Sequence, residues 1–182
     1  MVFVVNLGRV VYAPLLDPLR SALTVDAAAV GLLASLVWVG SAVPRIPTGY
    51  LLTRVPRHYV VFGTGTLLTG ATLLAALAPD IRSLQVAAFL MGSASGAYFI
   101  AANPLVSELF PSRVGSALGV HGTAAQLAAV GAPLLVSAVL ATGEWPTVFR
   151  LMAAVTAVST LLFTLETYSI RADPGSRHYK RS

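Results

Sequence analysis

Two arginines, Arg9 and Arg45, stand inside long apolar runs. A charged side chain at the centre of a membrane helix costs about 2.5–3.5 kcal/mol on insertion scales, so it faces protein or a water-filled cavity. At a rise of ~1.5 Å per residue, Arg9 lies roughly 12 Å from the outer end of its run and Arg45 about 13 Å from its inner end. Neither snorkels easily to the surface. The chemistry on offer is a fixed positive charge with a planar fork of donors, suited to carboxylate, nitrate or phosphate. The other reading is structural. Pro44 and Pro47 flank Arg45, and a helix proline leaves a carbonyl without its usual donor, which a guanidinium would satisfy.

Asn6, Arg9 and Tyr12 recur every three residues and are expected on one helical face, either lining a cavity or packing on a neighbour through hydrogen bonds. Asn103, His121 and Gln126 add polar groups to later apolar runs. His121 is either a structural hydrogen bonder or a proton carrier. No Asp or Glu sits centrally in an apolar run, so this stretch offers little else for proton coupling. The chain has no cysteine, and its three histidines are scattered, which leaves no basis for a disulfide or a metal site. There is no phosphate loop and no nucleophile–base pair, so neither an enzyme nor a bound cofactor is expected.

The elements that must position these groups follow from composition. Of 182 residues, 56% are hydrophobic and 10% charged, against about 25% charged in a soluble domain. Mean hydropathy is +0.78. A lipid-facing surface can be built from such a chain and a water-facing one cannot. The net charge of +5 is therefore assigned to membrane edges under the positive-inside rule, not to nucleic acid. Charge and Pro/Gly punctuation predicts six spans, at about 1–16, 27–52, 59–78, 84–106, 118–140 and 148–165, within a bundle over 1–168. A basic tail follows at 169–182. Backbone groups in lipid must be satisfied internally, so the fold class is an all-α integral membrane protein. Residues 1–16 lack a basic start and a prompt small-residue cleavage site, and read as a shortened first span, not a signal peptide.

With the N-terminus inside, the cytosolic side holds seven Lys and Arg (Arg54, Arg57, Arg113, Arg171, Arg177, Lys180, Arg181). The outer side holds three (Arg20, Arg82, Arg150). The tail decides this bias, since without it the sides are equal. The expected location is the plasma membrane, with both termini cytosolic. Gly92 and Gly96 form a G-x-x-x-G, and Gly115, Gly119, Gly122 and Gly131 recur near span 5. Small faces of this kind serve close helix packing in lipid or, alternatively, gating.

The segment Gly49 to His58 (GYLLTRVPRH) resembles the loop after helix 2 of the major facilitator superfamily, roughly G-x-L-a-D-R-x-G-R-R. Gly49, Leu51, Arg54 and Arg57 match. Gly31 to Ser35 is similar to the start of helix 2, and Phe89 to Gly96 to helix 4. Glu108 to Arg113, with Ala117 to Gly119, is similar to the loop into helix 5. Gly131 to Pro133 looks like a worn Gly-Pro motif of helix 5, and Trp145 with Phe149 like the start of helix 6. The resemblance spans nearly the whole chain. It implies the N-terminal six-helix half of a two-half transporter that moves a small solute by alternating access. A second six-span half or self-association would complete the path. It also implies a conformational role for Gly49, Arg54 and Arg57. Thr53 replaces the Asp that takes part in the family's latch between halves, Pro56 replaces a Gly, Ala88 a frequent helix 4 Arg, and Pro146 the Arg after the helix 6 Trp. A truncated or non-transporting membrane protein with the same fold is the competing reading. Arg45 to Gly49 (RIPTG) further resembles the R-I-P-x-G stretch of nitrate/nitrite porters, where the Arg contacts the anion. Gly119 to Thr123 does not follow that subfamily's glycine- and asparagine-rich pattern.

Overall fold

Apolar runs in this chain become helices, and two prolines, Pro14 and Pro44, stand at helix breaks, while Pro18, Pro104 and Pro133 lie within helices. The computed structural model describes residues 1–172, with side chains through Leu165. Its elements are α1 (Val2–Val10), α2 (Tyr12–Leu23), α3 (Ala27–Ala42), α4 (Arg45–Leu51), α5 (Arg57–Ala76), α6 (Ile81–Leu109), α7 (Val114–Leu140) and α8 (Trp145–Ala172). Arg177, Lys180 and Arg181 of the expected basic tail lie outside the described residues.

Five stretches are long and apolar enough to cross a membrane: Ala27–Leu51, Arg57–Ala76, Ile81–Leu109, Val114–Leu140 and Trp145–Leu165. α1 and α2, bent by 42°, make a sixth when taken together. The bend has a local cause. Pro14 has no N–H for the Val10 carbonyl and its ring crowds that carbonyl, so the helix restarts at Tyr12. The sequence suggested a loop from Asp17 onward. The helix instead runs through Asp17 and Pro18 to Leu23, giving the first span the length that sixteen residues lacked. Thr24 then takes a left-handed conformation (φ 52°) and turns the chain into α3, whose Ala29 amide donates to the Asp26 carboxylate at 2.8 Å. Pro44 likewise separates α3 from α4. The last helix continues through Arg171 to Ala172, beyond the expected end near residue 165.

α6 is the centre of the bundle. Leu84, Ala87, Ala88, Met91, Ala94 and Ala101 are each fully buried. α3 and α5 pack most extensively on it, α5 also packs on α8, and α1 packs on α7. The seam between α3 and α6 is made of backbone. A Cβ at Gly92 would collide with the Val37 carbonyl, one at Gly96 with the Ser41 carbonyl, and one at Gly40 with the Phe89 carbonyl. The G-x-x-x-G of α6 thus lies across the i, i+4 pair Val37 and Ser41 of α3. Gln85 strengthens the same seam, donating from Nε2 to the Ala29 carbonyl at 3.0 Å. Gly115, Gly119, Gly122 and Gly131 have open space around them and make no such approach.

Candidate functional site

α1 carries Asn6 and Arg9 one turn apart, and the turn is used. Arg9 Nη2 donates to Asn6 Oδ1 at 2.7 Å, and Asn6 Nδ2 donates to the Ala125 carbonyl of α7 at 2.6 Å. Asn6 is buried, so its amide has little choice of partner. The Arg9 guanidinium carbon lies 5.0 Å from the Trp38 ring centre on α3 and 5.5 Å from that of Phe99 on α6. Both separations fall within cation–π range. Arg9 Nε is buried with no acceptor.

Beyond Phe99 lies His121 of α7. Its ring stacks on Tyr98 (5.9 Å, 13°) and meets Phe99 edge-on (6.2 Å). His121 Nε2 is buried without a hydrogen-bond partner. The same histidine lines a groove of about 490 Å³ between α6, α7 and the start of α1, with Arg113 and Ser116 on its rim.

Arg45 is exposed at the first position of α4, and its Nε donates to the Ser41 carbonyl at 3.1 Å. Its charge reaches Arg9 electrostatically. Among the described residues neither arginine joins an ion pair, whereas Arg57 pairs with Glu108.

Of the residues singled out in the sequence, α1, α3, α6 and α7 thus bring Asn6 and Arg9 together, with Arg45 within reach. Tyr12 is placed elsewhere. It is buried along one face with Val5, Gly8, Leu15 and Leu19, donates to Met91 Sδ at 3.1 Å and tilts against Phe149 at 5.3 Å. Asn103 is exposed one turn beyond Phe99 on α6, and Gln126 is exposed beside Ala125 on α7. Trp38, Tyr98 and Phe99 were not anticipated. The spacing held one signal: Trp38 precedes Arg45 by seven residues, which is two helical turns.

At one end of the bundle Gly49 is exposed in α4, and Arg54 lies over the Tyr50 ring at 5.0 Å. Thr53, standing where an acidic residue was expected, caps locally: its Oγ1 donates to the Tyr50 carbonyl at 2.7 Å. Arg57 opens α5 and pairs with Glu108 at the end of α6, so the loops at 52–56 and 110–113 share one side of the bundle.

The Major Facilitator Superfamily model matches residues 1–180. The chain belongs to the major facilitator superfamily. No curated protein matches it at a significant level. Six helical spans with short connections are the architecture of a major facilitator bundle, and the chain is a multi-pass membrane protein in contact with lipid. Major facilitators are transporters, which makes the chain's general function the membrane transport of a solute. The matched region takes in the Arg9 cluster, the Arg57–Glu108 pair and the α3–α6 seam alike.

Proposed function

We propose that the chain is the N-terminal half of an alternating-access transporter of the plasma membrane, and that its solute is an anion drawn to Arg45 and Arg9. One observation carries this reading. Two guanidinium groups on different spans, Arg9 of α1 over the Trp38 ring of α3 and Arg45 at the start of α4, have no carboxylate partner among the described residues. Like charges repel in a low-dielectric setting, and an anion offsets that repulsion. Arg45 is exposed, and Arg9 Nε is a buried donor without an acceptor.

Alternating access requires one bundle to rock against another around a shared site. The spans containing α3 and α7 are the least buried of the five long ones and flank the arginines, which favours a partner bundle on that side. A second copy of this chain would bring four arginines into one cleft, so a different six-helix half is the better complement. The same logic predicts no sustained, saturable uptake by the monomeric chain alone.

The test is a thermal-shift comparison of the purified chain with its Arg45→Gln and Arg9→Gln variants against nitrate, phosphate, acetate and neutral solutes. Stabilisation by an anion that is lost in the variants supports the proposal. Stabilisation that persists unchanged in both rules these arginines out. Lower stability of the variants with no anion response in the wild type favours the purely structural role.

A further inference from the structure

The surroundings of Arg9 narrow the class of anion. This step rests on the anion reading just proposed. The guanidinium is held by Asn6 on one edge, lies over the Trp38 and Phe99 rings, and leaves Nε buried and unmatched. A buried donor without an acceptor is unfavourable, so an acceptor that reaches this edge when the bundle opens is favoured. A carboxylate fits: Arg recognises its two oxygens in the plane of the guanidinium. What lies around that edge is aromatic. Trp38 is 58% exposed, leaving an open ring surface beside the charge. Phe99 continues the surface towards His121, itself stacked on Tyr98.

A small hydrated inorganic anion gains little from such walls. A flat apolar body attached to the carboxylate gains ring-to-ring contact. The groove adjoining His121 is a separate feature, lined by neither Arg9, Trp38 nor Phe99.

We infer that the solute is an organic anion with a flat apolar body, of the aryl carboxylate class, its carboxylate on Arg9 and its ring on Trp38 and Phe99. Arg45 supplies long-range attraction, since its Nε already serves the Ser41 carbonyl.

The experiment titrates the purified chain with benzoate, benzamide, cyclohexanecarboxylate and nitrate at neutral pH, following thermal stability and tryptophan fluorescence in a Trp145→Phe background. Benzoate is expected to bind tighter than nitrate, to quench Trp38 and to outcompete cyclohexanecarboxylate, while the uncharged benzamide does not bind. Trp38→Leu removes an exposed ring and should weaken benzoate roughly 2- to 12-fold, the range of an aromatic contact, without changing nitrate. Arg9→Lys keeps the charge and loses the fork, and should weaken benzoate while leaving the fold intact. Benzamide binding as well as benzoate overturns the inference. So does nitrate binding as tightly as benzoate with no effect of Trp38→Leu, although the broader anion reading then survives. A wild-type chain that responds to no anion ends both.

Discussion

Asn6 does more for the cluster than its size suggests. It accepts from Arg9 and donates to the Ala125 carbonyl, so one amide fixes the guanidinium and ties α1 to α7. Asn6→Ala cuts the tie to the Ala125 carbonyl and leaves an Arg9 donor without its partner. It should destabilise the chain by about 1–3 kcal/mol, measured by unfolding in detergent. Asn6→Asp, which keeps an acceptor for Arg9, should recover part of the loss. The Asn6–Arg9 pairing was legible because a spacing of three needs only an intact helix. Tyr12 was not, because at 3.6 residues per turn a spacing of three repeated twice drifts off the Asn6 face, and Tyr12 falls with Gly8 and Leu15 on the buried one. Trp38 and Phe99 were hidden for a different reason. Aromatic residues are common in apolar spans, and only the tertiary packing of α3 and α6 brings these two to Arg9.

Helices in lipid are held by close fit more than by aversion to water, and the α3–α6 seam is the clearest case here. Gly92→Ala drives a Cβ into the Val37 backbone carbonyl, which cannot rotate away as a side chain would. Overpacking of this kind costs about 1–3 kcal/mol, while Gly119→Ala, facing open space, should be neutral or slightly stabilising. Equal losses from the two substitutions would remove the seam's special status. The G-x-x-x-G was visible in the sequence, but its partner was not, since nothing in Val37 and Ser41 announces a landing site. The start of α6 offers a second element-scale expectation. Asp80 caps it, with its carboxylate accepting from the Ser83 amide at 2.8 Å, and this bond chiefly holds the Asp80 carboxyl below the usual range. A depressed carboxylate stabilises the fold fully above its ordinary value of about 3.9. That contribution fades as pH falls from there through the lower folded value. Asp80→Asn should flatten this acid-side slope in pH-dependent melting curves.

For the molecule as a whole, the six apolar runs were legible because bilayer thickness sets their length. The packing order was not, because much of the packing joins spans that are not neighbours in sequence, α3 with α6, α5 with α8 and α1 with α7. The Arg57–Glu108 pair sets the loops at 52–56 and 110–113 on one side, and antiparallel spans put Gly143 on the other. Single cysteines at Thr53 and Gly143 should therefore label from opposite faces of a sealed vesicle, with Thr53 cytosolic; labelling from one face would refute the arrangement. The partner of Asn6 also has a bearing on how the chain is born. Ala125 follows it by 119 residues. At synthesis rates of about 5–20 residues per second, this amounts to a wait of roughly 6–24 s. Through that interval the nascent first span carries its amide and guanidinium without their final lattice. The insertion machinery or a membrane chaperone must shelter it until α7 emerges, which separates the insertion of this helix from its final packing.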